Sequence, residues 1–300
     1  MHISVLTDEV VKGLNIRADD VVLDGTLGGA GHSRKICSRL GKQGMLVGID
    51  ADESAIERAK KILSECSCQV TLDRSNFRYL DTIIGQHYVP HVSKIILDLG
   101  ISSFQIDAPM EGEKGRGFSF QRDEPLVMTF EEKPGDKLTA AQLLAVGTEE
   151  QLETIISRYG EEKYSRRIAR AIVQQREKKP IETTGDLVEV LRGATPSVYH
   201  RGRVHFATKT FQALRMAVND ELGALEEGLE KGFKVLASGG RIAVISFHSL
   251  EDRIVKNFFR DREKEGLAKR ITKKPIRPSE KEVRENPRSR SAKLRILEKN

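Results

Sequence analysis

The residues best suited to chemistry begin with a glycine-rich run, Asp24-Gly25-Thr26-Leu27-Gly28-Gly29-Ala30-Gly31-His32, which follows a short apolar segment and opens a helical one. Glycines at such a turn admit positive φ and let a ligand approach the backbone closely. Asp50 ends the next apolar segment, 19 residues after Gly31. An acid there is placed to hydrogen-bond the ribose hydroxyls of a nucleoside cofactor. The run is not G-x-G-x-x-G, because Arg34 stands where the third glycine belongs. A pyrophosphate cradle is therefore disfavoured against an adenosine cofactor without phosphates, and S-adenosylmethionine is the leading candidate. Its cationic amine and sulfonium would be attracted by Asp24 and Asp98 at strand ends. The competing structural explanation is a tight strand-to-helix turn with no ligand.

A second cluster, Asp98-Leu99-Gly100-Ile101-Ser102-Ser103, lies at the end of another apolar run, with Gln105 just beyond. In doubly wound sheets ligands bind outside the carboxyl ends of strands. Ser102, Ser103 and Gln105 could orient an amine on a nucleic-acid base. The lone pair of such an amine is delocalised into the ring, so positioning matters more than a strong base. Asp98 could equally be a satisfied strand-end carboxylate. Phe77 follows Ser75-Asn76, where an aromatic ring could cover adenine, although a single Phe is more often core. Gln212, Arg215 and Asn219 share a helix face by spacing. His248, in Ser246-Phe247-His248-Ser249-Leu250-Glu251-Asp252-Arg253, is either a group on the same rim or a cap for the helix that follows.

These groups need a scaffold. Val21–Asp24, Met45–Asp50, Gln69–Leu72, Lys94–Asp98 and Arg241–Phe247 read as strands, with helices over Gly31–Leu40 and Asp52–Leu63. Continuous apolar strands separated by helices imply a parallel sheet covered on both faces. Two more short strands are expected at 267–273 and 292–297. Residues 104–134, with Pro109, Gly112, Gly115, Gly117, Pro125 and Pro134, read as a long functional loop. Helical segments follow it. Thr139 caps the first, and Thr148-Glu149-Glu150-Gln151 forms a capping box for the second. Glu161–Glu177 continues past Gly160, and Thr184 caps 185–192. Phe211, Leu214, Val218, Leu222, Leu225, Leu229, Phe233 and Leu236 predict one long helix, ended by Ser238-Gly239-Gly240.

Charge adds a hint about the partner. The 50 Lys/Arg and 44 Asp/Glu leave +6 overall, but residues 253–300 hold 17 basic and 7 acidic groups and so carry +10 against −4 elsewhere. A basic end on a mildly acidic body suits a polyanion, unless it is simply a solvated mixed-charge tail. No apolar run reaches the ~18 residues of a membrane span. Met1-His2-Ile3-Ser4 lacks the start of a signal peptide, and Cys37, Cys66 and Cys68 fit neither a disulfide framework nor metal-ligand spacing. A cytoplasmic protein without a resident metal is expected.

Six blocks carry a resemblance: Asp24 to Ser33, Asp98 to Ser103, Arg116-Gly117-Phe118-Ser119-Phe120, Thr210-Phe211-Gln212-Ala213-Leu214-Arg215, Ile245 to Arg253, and Asn286-Pro287-Arg288-Ser289-Arg290-Ser291-Ala292-Lys293-Leu294-Arg295. In this order, from about residue 2 to 297, the chain resembles the bacterial RsmH (formerly MraW) family of 16S ribosomal RNA cytosine N(4)-methyltransferases. The resemblance implies an α/β, class I S-adenosylmethionine-dependent methyltransferase fold, Rossmann-like with a mostly parallel sheet and an inserted helical subdomain. It implies S-adenosyl-L-methionine as donor and a P-site cytosine in the decoding centre of the small ribosomal subunit as acceptor. Carried onto matching positions, the cofactor contacts are Ala30, Gly31, His32, Asp50, Phe77, Asp98 and Gln105. Asp98, Ser102 and His248 are the catalytic candidates. The expected division is a methyltransferase domain of 1–103 and 207–300 around an inserted loop and helical substrate-recognition subdomain of 104–206.

The chain departs from the family in places. Phe104 replaces a proline, and the link from Asp107 to Arg116 is longer than usual. Asp123-Glu124-Pro125-Leu126-Val127-Met128-Thr129-Phe130 lacks an acid and an arginine, at Val127 and Thr129, in a loop expected to face substrate. Thr208-Lys209 stands for Thr-Arg. Three other functions compete. A nicotinamide dehydrogenase is opposed by the broken glycine motif. A DNA amino-methyltransferase would carry Asp/Asn/Ser-Pro-Pro-Tyr where this chain has Asp98-Leu99-Gly100-Ile101. An RNA-binding ribosome-assembly factor that has lost catalysis is the third.

Overall fold

The computed structural model describes residues 4–89, 91–107, 115–131, 135 and 137–300. Met1-His2-Ile3, Pro109, Gly112, Pro134 and most of the lengthened link before Arg116 lie outside the described residues. The chain divides into two compact units, Met1–Ser102 with Leu222–Asn300, and Ser103–Glu221.

The first unit is built on seven strands: β1 Val21–Asp24, β2 Met45–Asp50, β3 Gln69–Arg74, β4 Val92–Asp98, β5 Leu236–Ser246, β6 Ala268–Arg270 and β7 Lys293–Lys299. Their order is β3-β2-β1-β4-β5-β7-β6. Five strands run parallel, and β7 is antiparallel to β5 and β6. The predicted, mostly parallel Rossmann-like sheet is present. Its order reverses between β1 and β4, which opens a crevice at their carboxyl ends.

Alternation along each strand explains the continuous apolar runs. Val22, Leu46, Ile96, Ala243 and Ile245 enter one core cluster, while Leu23, Val47, Ile95, Leu97, Ile242 and Val244 enter another. Successive side chains point to opposite faces, so a strand covered on both sides must be apolar throughout. The first face is covered by α1 Thr7–Leu14, α2 Gly31–Cys37 and α3 Glu53–Ile62, through residues such as Val10, Ile36 and Ile56. Helix α4, Leu80–Gln86, covers the second through Leu80 and Ile83. Fully burying each Leu or Ile contributes roughly 1.5–3 kcal/mol.

The second unit is helical: α5 Ser103–Ile106, α6 Ala140–Val146, α7 Glu149–Gly160, α8 Ser165–Arg176, α9 Thr184–Ala194 and α10 Thr208–Asn219. The capping boxes expected at Thr139 and Thr148 are formed, with Gln142 and Gln151 reciprocating. The third box differs: Thr183, not Thr184, accepts from Asp186 N–H. The Thr184 hydroxyl is engaged instead with the Arg122 carbonyl and the Glu124 N–H. The helix expected from Glu161 begins only at Ser165, because Glu161 takes a left-handed cap at φ +47°. Gly160 sits where a Cβ would lie 2.6 Å from the Lys209 carbonyl oxygen, so the α7–α10 crossing requires glycine.

The single long helix expected over 211–236 is two. After α10, Asp220 turns left-handed at φ +48°, and α11 Glu221–Val235 begins, its Leu225, Leu229 and Phe233 joining the second core cluster of the sheet. Apolar spacing cannot register one residue of reversed backbone. Downstream, Ser238-Gly239-Gly240 does not precede the strand. It forms an irregularity within β5, between the Val92–Leu236 and Lys94–Arg241 pairs, with Gly239 at φ +73°. The remaining helices are α12 Ser249–Lys264 and α13 Glu280–Glu285.

Candidate active site

The glycine run leaves β1 and crosses the sheet edge toward α2. Leu27 is buried, and a Cβ on Gly48 of β2 would lie 2.6 Å from a Leu27 methyl, so the bare glycine in β2 gives the loop its anchor. Gly28 (φ +49°) and Ala30 (φ +56°) are both left-handed, and the second is unusual for a residue with a Cβ. Ala30 caps α2 at its N-terminus. Gly31 is forced by packing, since a Cβ there would lie 1.9 Å from Ser4 Oγ.

Asp50 holds this loop in shape. One carboxylate oxygen accepts from Gly28 N–H at 2.8 Å and the other from Asp52 N–H at 2.9 Å. Burial raises its pKa to about 6, against the pull of those two N–H groups, with Asp52 and Asp24 adding repulsion. Asp24 is more deeply placed. It accepts from Ser33 Oγ at 2.6 Å and from Thr26 N–H at 3.1 Å, and burial pushes its pKa upward. Asp24 therefore stiffens the turn from beneath.

Asp98 closes the opposite wall at the end of β4. Its N–H donates to Thr26 Oγ1 at 2.6 Å, which ties β4 to the glycine run. Its Oδ2 lies 3.5 Å from His32 Nδ1. The His32 ring is held by Nε2 donating to the Val5 carbonyl at 2.8 Å. Asp98 Oδ1 is buried and has no hydrogen-bond partner among the described residues. Burial lifts the Asp98 pKa to about 6. The charge of His32 opposes the rise, and Asp24 and Glu251 reinforce it. A buried acceptor without a donor is costly unless a ligand supplies one. Ser102 overlooks the same loop, with its Oγ 3.7 Å from where a Gly28 Cβ would stand.

Phe77 opens a short 3-10 turn after β3. Its Cβ approaches Gly25 (3.1 Å to a Cβ built there), and its ring lies on Gly228 of α11 (2.6 Å to a Cβ there). It packs against the second core cluster while remaining half-buried. His248 is the N-cap of α12: its Nδ1 accepts from Glu251 N–H, and Glu251 accepts in return from His248 N–H. Glu251 also accepts from Phe247 N–H at 2.8 Å. The capping role is thus realised. Position adds to it, since Leu99 N–H donates to the Ile245 carbonyl and Gly100 (φ +93°) lies beside the Phe247 ring.

The first unit therefore brings together Ala30, Gly31, His32, Asp50, Phe77, Asp98 and Ser102 around one loop, with His248 on the neighbouring strand end. Gln105, on α5, belongs to the second unit. Two participants escaped the sequence reading. Thr26 bridges β1 to β4, which no local pattern signals. Glu251, the buried acid that charges the rim, was legible as the fourth residue of a His-Ser-Leu-Glu cap.

Within the second unit, Gln212, Arg215 and Asn219 lie on α10 but do not form a solvent-facing stripe. Asn219 is buried, accepts from Phe130 N–H at 2.8 Å and donates to the Met128 carbonyl at 2.7 Å. Arg215 makes a two-pronged pair with Glu221, at 2.7 and 2.9 Å. The 123–130 loop is partly buried, with Asp123 and Pro125 exposed. Leu126, Met128 and Thr129 are buried, and Thr129 Oγ1 donates to the Glu131 carbonyl. Asn219 ties down one end of the loop, and at the exposed end Gly185 N–H donates to Asp123 at 2.8 Å. An arginine at the Thr129 position would have to bury its charge.

The rim suits a cationic, adenosine-bearing ligand. It offers an unpartnered buried carboxylate oxygen on Asp98, a left-handed glycine loop and a strand-end acid at Asp50. Among the described residues no group of three or more His, Cys, Asp or Glu is arranged to hold a metal, and no helix is long and apolar enough to cross a membrane.

The MraW methylase family profile matches residues 1–300. A Brevibacillus brevis protein named ribosomal RNA small subunit methyltransferase H is 46% identical over 313 residues, covering 99% of this chain and 98% of that one. A Persephonella marina protein of the same name is 45% identical, covering 99% of each. An rRNA methylase from Streptococcus thermophilus, known from its crystal structure, superposes with a TM-score of 0.44 at 13% identity over 100% of this chain and 98% of that one.

Proposed function

The chain belongs to the MraW methylase family, and on that premise we propose that it methylates the exocyclic N(4) amine of a decoding-centre, P-site cytosine in 16S ribosomal RNA. S-adenosyl-L-methionine is the donor and the small ribosomal subunit in the cytoplasm is the partner. Full-length identity of 46% to a relative named for small-subunit rRNA methylation carries this reading. The donor supplies a methyl group activated by its positive sulfur.

The chain's own residues bind and orient. Asp50 meets the ribose hydroxyls with the lone pairs left over from Gly28 and Asp52. Ala30, Gly31 and His32 line the donor's amino-acid end and Phe77 flanks adenine; Gln105, in the second unit, is the other residue the family resemblance assigns to the donor. Asp98 offers its buried Oδ1 to the donor's cationic end. The cytosine must leave its stack to reach the crevice. Ser102 is positioned to hold its amine for in-line attack, and His248 borders the same rim. No strong base is required, because the methylated amine is acidic until it loses its proton. The assembly-factor alternative rested on the altered 123–130 loop. Leu126, Met128 and Thr129 of that loop are buried, which gives Thr129 a packing role, and the relatives named as methyltransferases favour catalysis.

The test is methyl transfer from labelled donor to small subunits of a host lacking the enzyme, with the modified nucleotide mapped by mass. Methylation at a cytosine N(4) is expected. No transfer, or transfer to another base, overturns the proposal.

A further inference from the structure

The helical unit contains the longest acid-free stretch tied to exposed cations. Residues 190–219 hold no Asp or Glu, although at the chain's average of 44 in 300 about four would fall there. The same stretch carries Arg192, Arg201, Arg203, Lys209 and Arg215, together with His200 and His205. Arg192, Arg201, Arg203 and His205 are exposed, and so are Val198 at 74% and Val204 at 53%.

Aromatic rings gather His205, His200 and Arg192 into one group and Lys163 and Arg167 into another, a two-part belt joined through the chain at Tyr199-His200 and flanked by exposed Arg201 and Arg203. The His205 imidazole lies between Phe120 (4.5 Å, 13° between planes) and Phe206 (4.3 Å, 31°). Its Nδ1 accepts from Ala207 N–H, so the ring proton sits on Nε2 of an exposed side chain. Beyond Phe206 comes His200 (4.4 Å), with Arg192 over the Phe206 face at 5.9 Å. One residue before His200, Tyr199 meets Tyr164 edge-on at 5.0 Å. Exposed Lys163 lies over both tyrosines, at 4.9 and 5.1 Å, and Arg167 over Tyr164 at 5.9 Å. Glu162 is buried beneath the belt and accepts from Tyr199 Oη. Burial, then Arg192 and His200, lowers the His205 pKa, which keeps that ring a neutral donor.

We propose that this belt, from Lys163 and Arg167 through Tyr199 and Arg201 to Arg203 and His205, is a docking surface for a single-stranded RNA segment. Cations spaced by rings meet a strand's phosphates and its sugars and bases in alternation, which suits RNA better than a folded protein face. The proposal rests on the rRNA reading above and adds the surface that would grip the strand. Over 190–219 no carboxylate stands in the path to repel phosphate, and at the Lys163 end Glu162 is buried and taken up by Tyr199 Oη.

The test uses the full chain, a fluorescein-labelled single-stranded oligouridylate and intact small subunits. In Arg201→Ala/Arg203→Ala, two phosphate contacts are lost. The log–log salt slope for the oligonucleotide should fall by about 1.4. KM for subunits should rise, with kcat and donor affinity unchanged, and Arg201→Lys/Arg203→Lys should restore both slope and KM. A parent-like slope and KM in the alanine variant overturns the proposal. So does a raised KM with an unchanged oligonucleotide slope, which would assign the surface to a ribosomal protein. If the slope falls as expected but the parent chain methylates no subunit RNA, the docking surface stands and the rRNA reading fails.

Discussion

Replacing Asp98 by Asn isolates the charge at the end of β4 with little change of shape. In the folded protein the Asp98 pKa rises from its ordinary 3.8 to about 6, chiefly through burial. A raised folded pKa means that the native state holds the proton more firmly than the unfolded chain. This contribution to stability is complete below about pH 3.8 and is lost as pH rises to about 6. At full weight the difference is roughly 3 kcal/mol. The side chain is 24% exposed, so water screens part of it, and about 1–2 kcal/mol is the reasonable share. Urea unfolding without donor should therefore find Asp98→Asn close to the parent at pH 4 and about 1–2 kcal/mol more stable at pH 8, the gap opening between those values. Calorimetric titration with S-adenosylmethionine at pH 8 should show the reverse order, because the variant has lost the carboxylate that attracts a cation. A variant less stable than the parent at pH 8 would refute the reasoning. It would mean that His32, 3.5 Å away, already satisfies the ionised form.

Three further outcomes are expected. Asp50→Ala should weaken donor binding by roughly 1.5–3 kcal/mol while RNA affinity holds, measured by titration of each ligand; unchanged donor affinity in a folded variant contradicts the ribose assignment. His248→Ala removes the α12 cap and should cost about 0.5–2 kcal/mol in denaturant unfolding, with turnover lowered and donor affinity kept, and a loss of donor affinity of equal size would place His248 in the cofactor pocket. Arg288 and Arg290 are exposed on the 3-10 turn Pro287–Ser291; neutralising both should lower the RNA salt slope by about 0.7–0.9 per lost contact, and a parent-like slope makes that end structural.

Much of the site was legible because its signals are local. Val21–Asp24, Met45–Asp50 and Lys94–Asp98 read as buried strands, since a parallel strand covered on both faces has no polar side to show. Gly28 and Gly31 marked the turn, and Asp50 and Asp98 marked strand ends. The caps at Thr139 and Thr148 follow from side-chain reach over three residues. Misreadings arose where one backbone angle or one competing bond decided the outcome. Asp220 splits a helix that apolar spacing continues, and Thr184 gives up the cap because Arg122 and Glu124 claim its hydroxyl.

Residue types and spacing alone determined the α/β class, the glycine turn, the acids at strand ends and the basic final segment. Tertiary structure decided what those acids experience. Asp24, Asp98 and Glu251 come from three distant parts of the chain, and the raised pKa of Asp98 exists only because folding removes water and brings their charges within range. Desolvation and Coulomb energy depend on distances through space, and no local pattern encodes them. The same holds for the strand order, for Thr26 joining β1 to β4, and for the 123–130 loop, whose Leu126, Met128 and Thr129 are buried while Asn219 accepts from Phe130 N–H at its end.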